Sequence, residues 1–163
     1  NECDNVIVTQ TFSKSRSLAG LRVGMAFGSA SLIEALTRMK NSFNSYPLDK
    51  LAQAGATASV LDVDYFEQTR QQVIDLRTSL TEELTALGYK VLPSHANFIF
   101  ARPKDGNASA VASALRDQGI IVRHFDKPRI SEYLRITVGT AEQHERLIDT
   151  LKELHTETSM TAD

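Results

Sequence analysis

The sequence predicts an α/β fold in which short strands alternate with helices that cover one face of a sheet. Three observations predict it. Runs rich in β-branched and aromatic residues recur along the chain, bounded by Gly, Pro, Asn or Ser, which is how short strands read. Between them lie segments whose apolar residues repeat at spacings of three and four, the period of a helix with one buried face. The two kinds of segment interleave rather than cluster, so an α/β or α+β sandwich follows.

The elements come in this order. Val6-Ile7-Val8-Thr9 reads as a strand followed by a serine-rich loop. Residues 21–28, "LRVGMAFG", read as a second strand, with Gly24 and Gly28 allowing close backbone approach. Residues 29–41 form a helix with Leu32, Ile33, Leu36 and Met39 on one face and Ser29 or Ser31 as its N-cap. Pro47 interrupts, and residues 48–61 form an Ala-rich helix. Residues 64–88 form the longest helix: Phe66, Val73, Leu76, Leu80, Leu84 and Leu87 make one apolar stripe. Asp64 with Glu67 supplies a capping-box-like start and Gly88 a stop.

After it the elements shorten. "YKVLP" (89–93) and "ANFIFARP" (96–103) read as strands, and residues 108–119 as a helix closed by Gly119. "IIVRHF" (120–125) and "YLRITVG" (133–139) are further strands. Thr140 with Gln143 caps a last helix through Leu147, Ile148, Leu151 and Leu154, and residues 156–163 read as a disordered tail. A domain boundary is expected where the long helix begins, dividing 1–62 from 63–155.

Bulk properties exclude several classes. With 163 residues, 42% hydrophobic and 23% charged, the composition is that of a soluble globular protein. A net charge of −2 argues against general binding of nucleic acid or an anionic membrane. No apolar run approaches the ~18 residues of a membrane span. A single cysteine, Cys3, makes no internal disulfide, so a reducing cytoplasm is expected. His95, His124, His144 and His155 lack metal-ligand spacing, so no metal is expected. A start at Asn1 that runs at once into an apolar strand raises the expectation of a portion of a longer polypeptide.

The chemistry concentrates in residues 11–24, "TFSKSRSLAGLRVG": three basic residues with no acid among them. A guanidinium with hydroxyls and loop amides is what a phosphate dianion needs, and a lysine amine is a nucleophile for carbonyls. GxxxxGK[ST], GxGxxG, SxxK and GxSxG are all absent. Taken alone, Lys14 reads as a solvated surface charge, and Arg135 as a strand residue paired to a surface acid such as Glu132.

"TFSKSRSLAGLRVG" resembles the lysine motif of the fold-type I pyridoxal-phosphate aminotransferases, specifically the histidinol-phosphate aminotransferase group. "ANFIFARP", "LRDQGIIVR" and "YLRITVGTAEQHERLIDTLKEL" resemble that family's small-domain segments in the same order. The resemblance covers essentially residues 5–155 and implies the C-terminal portion of such an enzyme. Residues 1–62 would be the remnant of the large cofactor-binding domain, and 63–155 the connecting helix and α+β small domain.

The resemblance implies pyridoxal 5'-phosphate as cofactor, held as a Schiff base by Lys14, which also moves the proton at the substrate Cα. Arg22 would hold the cofactor phosphate, helped by Ser13 and Thr11. Arg135 would pair with the carboxylate of the amino donor, with Arg123 gripping substrate phosphate or carboxylate and Asn97 placing substrate. Arg16 is read as a solvated or helix-end charge. The implied reaction takes histidinol phosphate and 2-oxoglutarate to imidazole-acetol phosphate and glutamate, in a cytoplasmic homodimer. The family's ring-binding aspartate and stacking aromatic residue are not among these segments, so the chain by itself is expected to be inactive. The alternatives are transamination of aromatic amino acids, decarboxylation of threonine phosphate, and a non-catalytic regulatory domain of the same fold.

Overall fold

The computed structural model describes residues 3–44 and 48–160. Pro47, read above as an interruption, lies outside the described residues. The chain divides into two compact units, Asn1–Arg70 and Gln71–Asp163. That division falls inside the longest helix rather than in front of it. The helix is continuous, and its later turns supply Leu80 and Leu84 to the second unit's core.

In the first unit β1 (Ile7–Thr11) and β2 (Gly24–Gly28) pair antiparallel, in register from Ile7 opposite Gly28 to Thr11 opposite Gly24. A Cβ added at Gly24 would stand 3.2 Å from the Gln10 carbonyl, and one at Gly28 3.2 Å from that of Val6. The expected close approach is therefore real at both positions. The segment between the strands is not a plain loop. It folds into a single helical turn, α1 (Phe12–Ser15), and a 3-10 turn, Ala19–Leu21.

Three longer helices follow: α2 (Ala30–Phe43), α3 (Lys50–Leu61) and α4 (Val63–Ala86). Phe12, Val23, Ala52 and Ala56 form the unit's small core, with Leu18, Leu21 and Met25 packed against it. The small side chains of Ala52 and Ala56 let residues 12–23 lie directly on α3. Ser29 stands at the start of α2, yet its hydroxyl donates to the Asp4 carbonyl instead of capping the helix. The start of α4 also differs from the expectation. The helix begins one residue earlier, so the Asp62 side chain, not that of Asp64, accepts from the Tyr65 N–H (3.3 Å).

The second unit is an antiparallel sheet in the order β3-β4-β6-β5, formed by Lys90–Val91 (β3), Phe98–Arg102 (β4), Arg123–His124 (β5) and Leu134–Thr137 (β6). Two helices accompany it, α5 (Ala108–Asp117) and α6 (Ala141–Met160). Strand alternation puts Ile99, Ala101, Leu134 and Ile136 into one core with Leu80, Leu84, Leu115, Leu147, Ile148 and Leu151. Phe98, Phe100 and Arg135 therefore lie on the opposite face.

The helix ends follow their glycines. Gly88 (φ +87°) and Gly119 (φ +75°) adopt the left-handed conformation. Behind them Tyr89 N–H donates to the Leu84 carbonyl and Ile120 N–H to that of Leu115, the bonds of a Schellman stop. Thr140 and Gln143 form the expected reciprocal box: Thr140 N–H donates to Gln143 Oε1 (3.0 Å) and Gln143 N–H to Thr140 Oγ1 (3.3 Å). The tail expectation needs correction. α6 continues to Met160, because extending a formed helix past its last apolar residue costs little.

His144 fixes the turn between β6 and α6. It is buried, at 5% exposure, and its Nε2 accepts from the Gly139 N–H at 3.2 Å. Burial holds its imidazole below the ordinary value of 6.5, with the Glu83 carboxylate opposing. The unfolded chain then takes up this proton more readily than the folded one. Stability should fall as the pH drops through about 6.5 and level off below the folded-state pKa. A His144→Asn variant, which keeps an acceptor but does not titrate, should show a flatter denaturation midpoint between pH 7 and pH 5. An unchanged slope would remove His144 as the source.

Candidate active site

In the first unit the site is built on residues 11–22. Thr11 ends β1 and caps α1: its Oγ1 accepts from the Ser13 N–H (3.1 Å) and donates to Ser13 Oγ (2.9 Å). Ser15 Oγ donates back to the Thr11 carbonyl (3.1 Å). Phe12 N–H donates to the Val23 carbonyl (3.2 Å), so the segment is tied at its base as well as along its floor. Lys14 projects from the middle of this turn into solvent, and Arg22 is also exposed.

Arg22 has an unusual backbone for an arginine, φ 56° and ψ 35°. A left-handed residue with a Cβ is disfavoured, and such outliers concentrate at functional sites. Its one side-chain bond among the described residues is Nη1 to the Ala19 carbonyl (3.1 Å), which leaves the other guanidinium N–H groups available. Amine, guanidinium and hydroxyls on one short, well-tied segment can together hold a phosphorylated aldehyde. Arg16 is half-buried at the end of α1, which bears out the helix-end half of the expectation and not the solvated half.

In the second unit Arg135 occupies the middle of β6, opposite Phe100 on one side and Arg123 on the other. Facing residues on neighbouring antiparallel strands point to the same side, so two guanidinium groups share one face. Like charges in that position are destabilising unless something screens them. Among the described residues no carboxylate forms an ion pair with either arginine. Glu132, the partner an isolated reading offers Arg135, instead takes a forked bond from Arg102 (3.0 and 3.1 Å). Arg102 lowers the Glu132 carboxyl pKa, mainly through that hydrogen bond.

The remaining surroundings are aromatic. Arg135 Cζ lies 5.2 Å from the Phe98 ring centroid and 6.0 Å from that of Phe125, while Arg123 Cζ lies 5.1 Å from Phe125. Phe100 packs between Phe98, Phe125 and Tyr133. Arg135 Nε is buried without a hydrogen-bond partner, an orphan that a bound anion would satisfy. Asn97 immediately precedes β4, and its carbonyl accepts from Val138 N–H (2.9 Å). The sequence reading missed the aromatic floor. Its signal was the alternation in "NFIFAR", which puts Phe98 and Phe100 on the face away from Ile99 and Ala101.

The structure thus places Lys14, Arg22, Ser13 and Thr11 on one segment of the first unit, and Arg135 and Arg123 on the sheet of the second, with Asn97 just before β4. A cavity of about 300 Å³ in the second unit is lined by Ile120, Thr137, His144 and Arg146 and includes none of these residues. Among the described residues no group of His, Cys, Asp and Glu could hold a metal ion, and no helix is long and apolar enough to cross a membrane.

Comparison with known proteins gives this geometry a context. Residues 1–151 match the family "Aminotransferase class I and II". Histidinol-phosphate aminotransferase 2 of Psychrobacter arcticus is 86% identical over 154 residues, 94% of this chain and 41% of that protein. Histidinol-phosphate aminotransferase of Pseudomonas putida is 61% identical over 91% of this chain and 42% of that protein. The chain therefore spans about two-fifths of the length of these curated relatives. The crystal structure of histidinol-phosphate aminotransferase from Sinorhizobium meliloti, in complex with pyridoxal-5'-phosphate, superimposes with a TM-score of 0.78 at 26% identity, over 93% of this chain and 42% of that one. The fold is that of part of an aminotransferase, and the chain belongs to the class I and II aminotransferase family.

Proposed function

We propose that this chain is part of a pyridoxal 5'-phosphate-dependent aminotransferase that exchanges the amino group of histidinol phosphate with 2-oxoglutarate. The observation that carries the substrate side is the facing pair Arg123 and Arg135, two cations on one sheet face with no ion pair to a described carboxylate and a buried, unpartnered Nε. Such a pair matches substrates that bring their own anionic groups. A forked guanidinium bond from Arg135 to the phosphate of histidinol phosphate, which has no carboxylate, or to the carboxylate beside the keto group of 2-oxoglutarate would fix the substrate's orientation. Arg123 would donate to the same phosphate or to the second carboxylate of 2-oxoglutarate. The 86% identity to a protein named histidinol-phosphate aminotransferase favours a phosphate there.

The residues of the first unit fit the cofactor. Arg22 would hold its phosphate with the free face of the guanidinium, and Ser13 and Thr11 would add hydroxyl contacts. Pyridoxal phosphate, when bound, supplies an aldehyde and a ring that accepts the electron pair left when the substrate Cα–H bond breaks. Lys14 Nζ would hold the aldehyde carbon, with loss of water, and is the amine that would take and return the proton at the substrate Cα. Asn97 helps place the substrate beside β4.

The full-length protein is further expected to work as a homodimer in the cytoplasm. Exposed Val8, Phe27 and Leu51 in the first unit support the packing of additional polypeptide there. The test is an assay of the full-length protein with histidinol phosphate and 2-oxoglutarate, following glutamate, beside phenylalanine and threonine phosphate. Cofactor-dependent glutamate formation from histidinol phosphate is expected. Preferred turnover of phenylalanine would contradict the substrate, and carbon dioxide release from threonine phosphate would contradict the reaction.

A further inference from the structure

Arg16 has no task in this reading, yet its surroundings are built. Its Nη1 donates to the backbone carbonyl of Ser59 at 2.5 Å, across 43 residues of sequence. Its Cζ lies 3.8 Å over the centre of the Phe66 ring. Ser59 lies in the last turn of α3, where the final carbonyls lack a donor within the helix and the dipole is negative. A planar guanidinium answers both needs, donating in its plane while stacking on an aromatic face.

The position of this fastening matters. Lys14 stands midway between Phe12 and Arg16. Phe12, at 3% exposure, anchors one side of the turn in the unit's core. Arg16 closes α1 as its C-cap, and the next residue, Ser17, turns the chain at φ 56°, a conformation disfavoured for a residue with a Cβ. The turn that carries Lys14 is therefore held from both sides, by apolar burial and by a stacked, hydrogen-bonded guanidinium.

We infer that Arg16 is a positioning residue: bonded to Ser59 and stacked on Phe66, it fixes the turn from which the Lys14 amine reaches the cofactor. The inference rests on the reading of Lys14 given above. Small displacements of a reacting group can cost a large part of a rate, so the effect should appear in the chemistry more than in the binding of substrate.

The test uses Arg16→Met, Arg16→Lys and Phe66→Leu in the full-length protein, with Ser59→Ala as control, since the bond is to the Ser59 backbone. In the cofactor-free protein, Arg16→Met should speed amide exchange of residues 13–18 by about tenfold, leaving the second unit unchanged. With pyridoxal phosphate, borohydride trapping at Lys14 and kcat should both fall about tenfold, with KM for the amino donor unchanged. Arg16→Lys keeps the charge but not the plane and should fall between, as should Phe66→Leu; these two decide the matter if Arg16→Met does not fold. Trapping as fast as in the unaltered protein overturns the proposal, even if exchange is faster, because Arg16 would then only fasten the structure. An unaltered protein that is not trapped at Lys14 at all overturns instead the cofactor reading on which the proposal rests.

Discussion

Replacing Lys14 with alanine in the full-length protein is expected to lower kcat by about 1,000-fold or more, the upper range for a positioned acid–base group that also acts as nucleophile. Two tasks fall on the one amine: holding the cofactor's aldehyde carbon and moving the proton at the substrate Cα. Lys14→Arg should fail as well, since a guanidinium does not deprotonate in this setting. Stability should be nearly untouched, within about 0.5 kcal/mol, because Lys14 is exposed. A variant that melted normally and retained most of its kcat would refute the assignment.

Arg135→Leu should lower kcat/KM for the amino donor by about 30- to 1,000-fold, the equivalent of roughly 2–4 kcal/mol for losing one side of a charged, hydrogen-bonded pair. Its effect on stability should have the other sign. Arg135 faces Arg123 across the sheet with no described acid paired to either, so removing one cation relieves a like-charge contact worth a few tenths of a kcal/mol or more. Lower activity with an equal or higher melting temperature is the signature of a side chain kept for a ligand. Arg135→Lys keeps the charge without the fork and should recover only part of the rate. A fall in stability with unchanged kcat/KM would return Arg135 to a structural role.

The sequence made the helix stops and the final cap legible because each depends on one or two local residues: Gly88, Gly119, and Thr140 with Gln143. The segment around Lys14 was legible as chemistry but not as structure. Its serines suggested a loop, whereas Thr11 caps a helical turn and Phe12 sinks into the core against Ala52 and Ala56. Those alanines lie far along the chain, and no local pattern announces them. Arg16 shows the same limit, since its partners Ser59 and Phe66 belong to other helices.

Charge pairing was misleading in isolation for the same reason. Glu132 is near Arg135 in sequence, but it lies in the turn before β6 and bonds Arg102 at the end of β4 instead. The strands in the second unit are also shorter than their apolar runs. "IIVRHF" pairs only through Arg123 and His124, because Ile120 and Val122 pack against the helical core rather than extending the ladder.

The most direct measurement is covalent. The full-length protein should be incubated with pyridoxal phosphate, reduced with borohydride, digested and mapped by mass spectrometry. A single pyridoxyl group on the peptide containing Lys14, abolished in Lys14→Ala, is the predicted result. A label on another lysine such as Lys40 or Lys50, or a label that survives the Lys14→Ala change, would contradict the assignment of Lys14 as the residue that holds the cofactor.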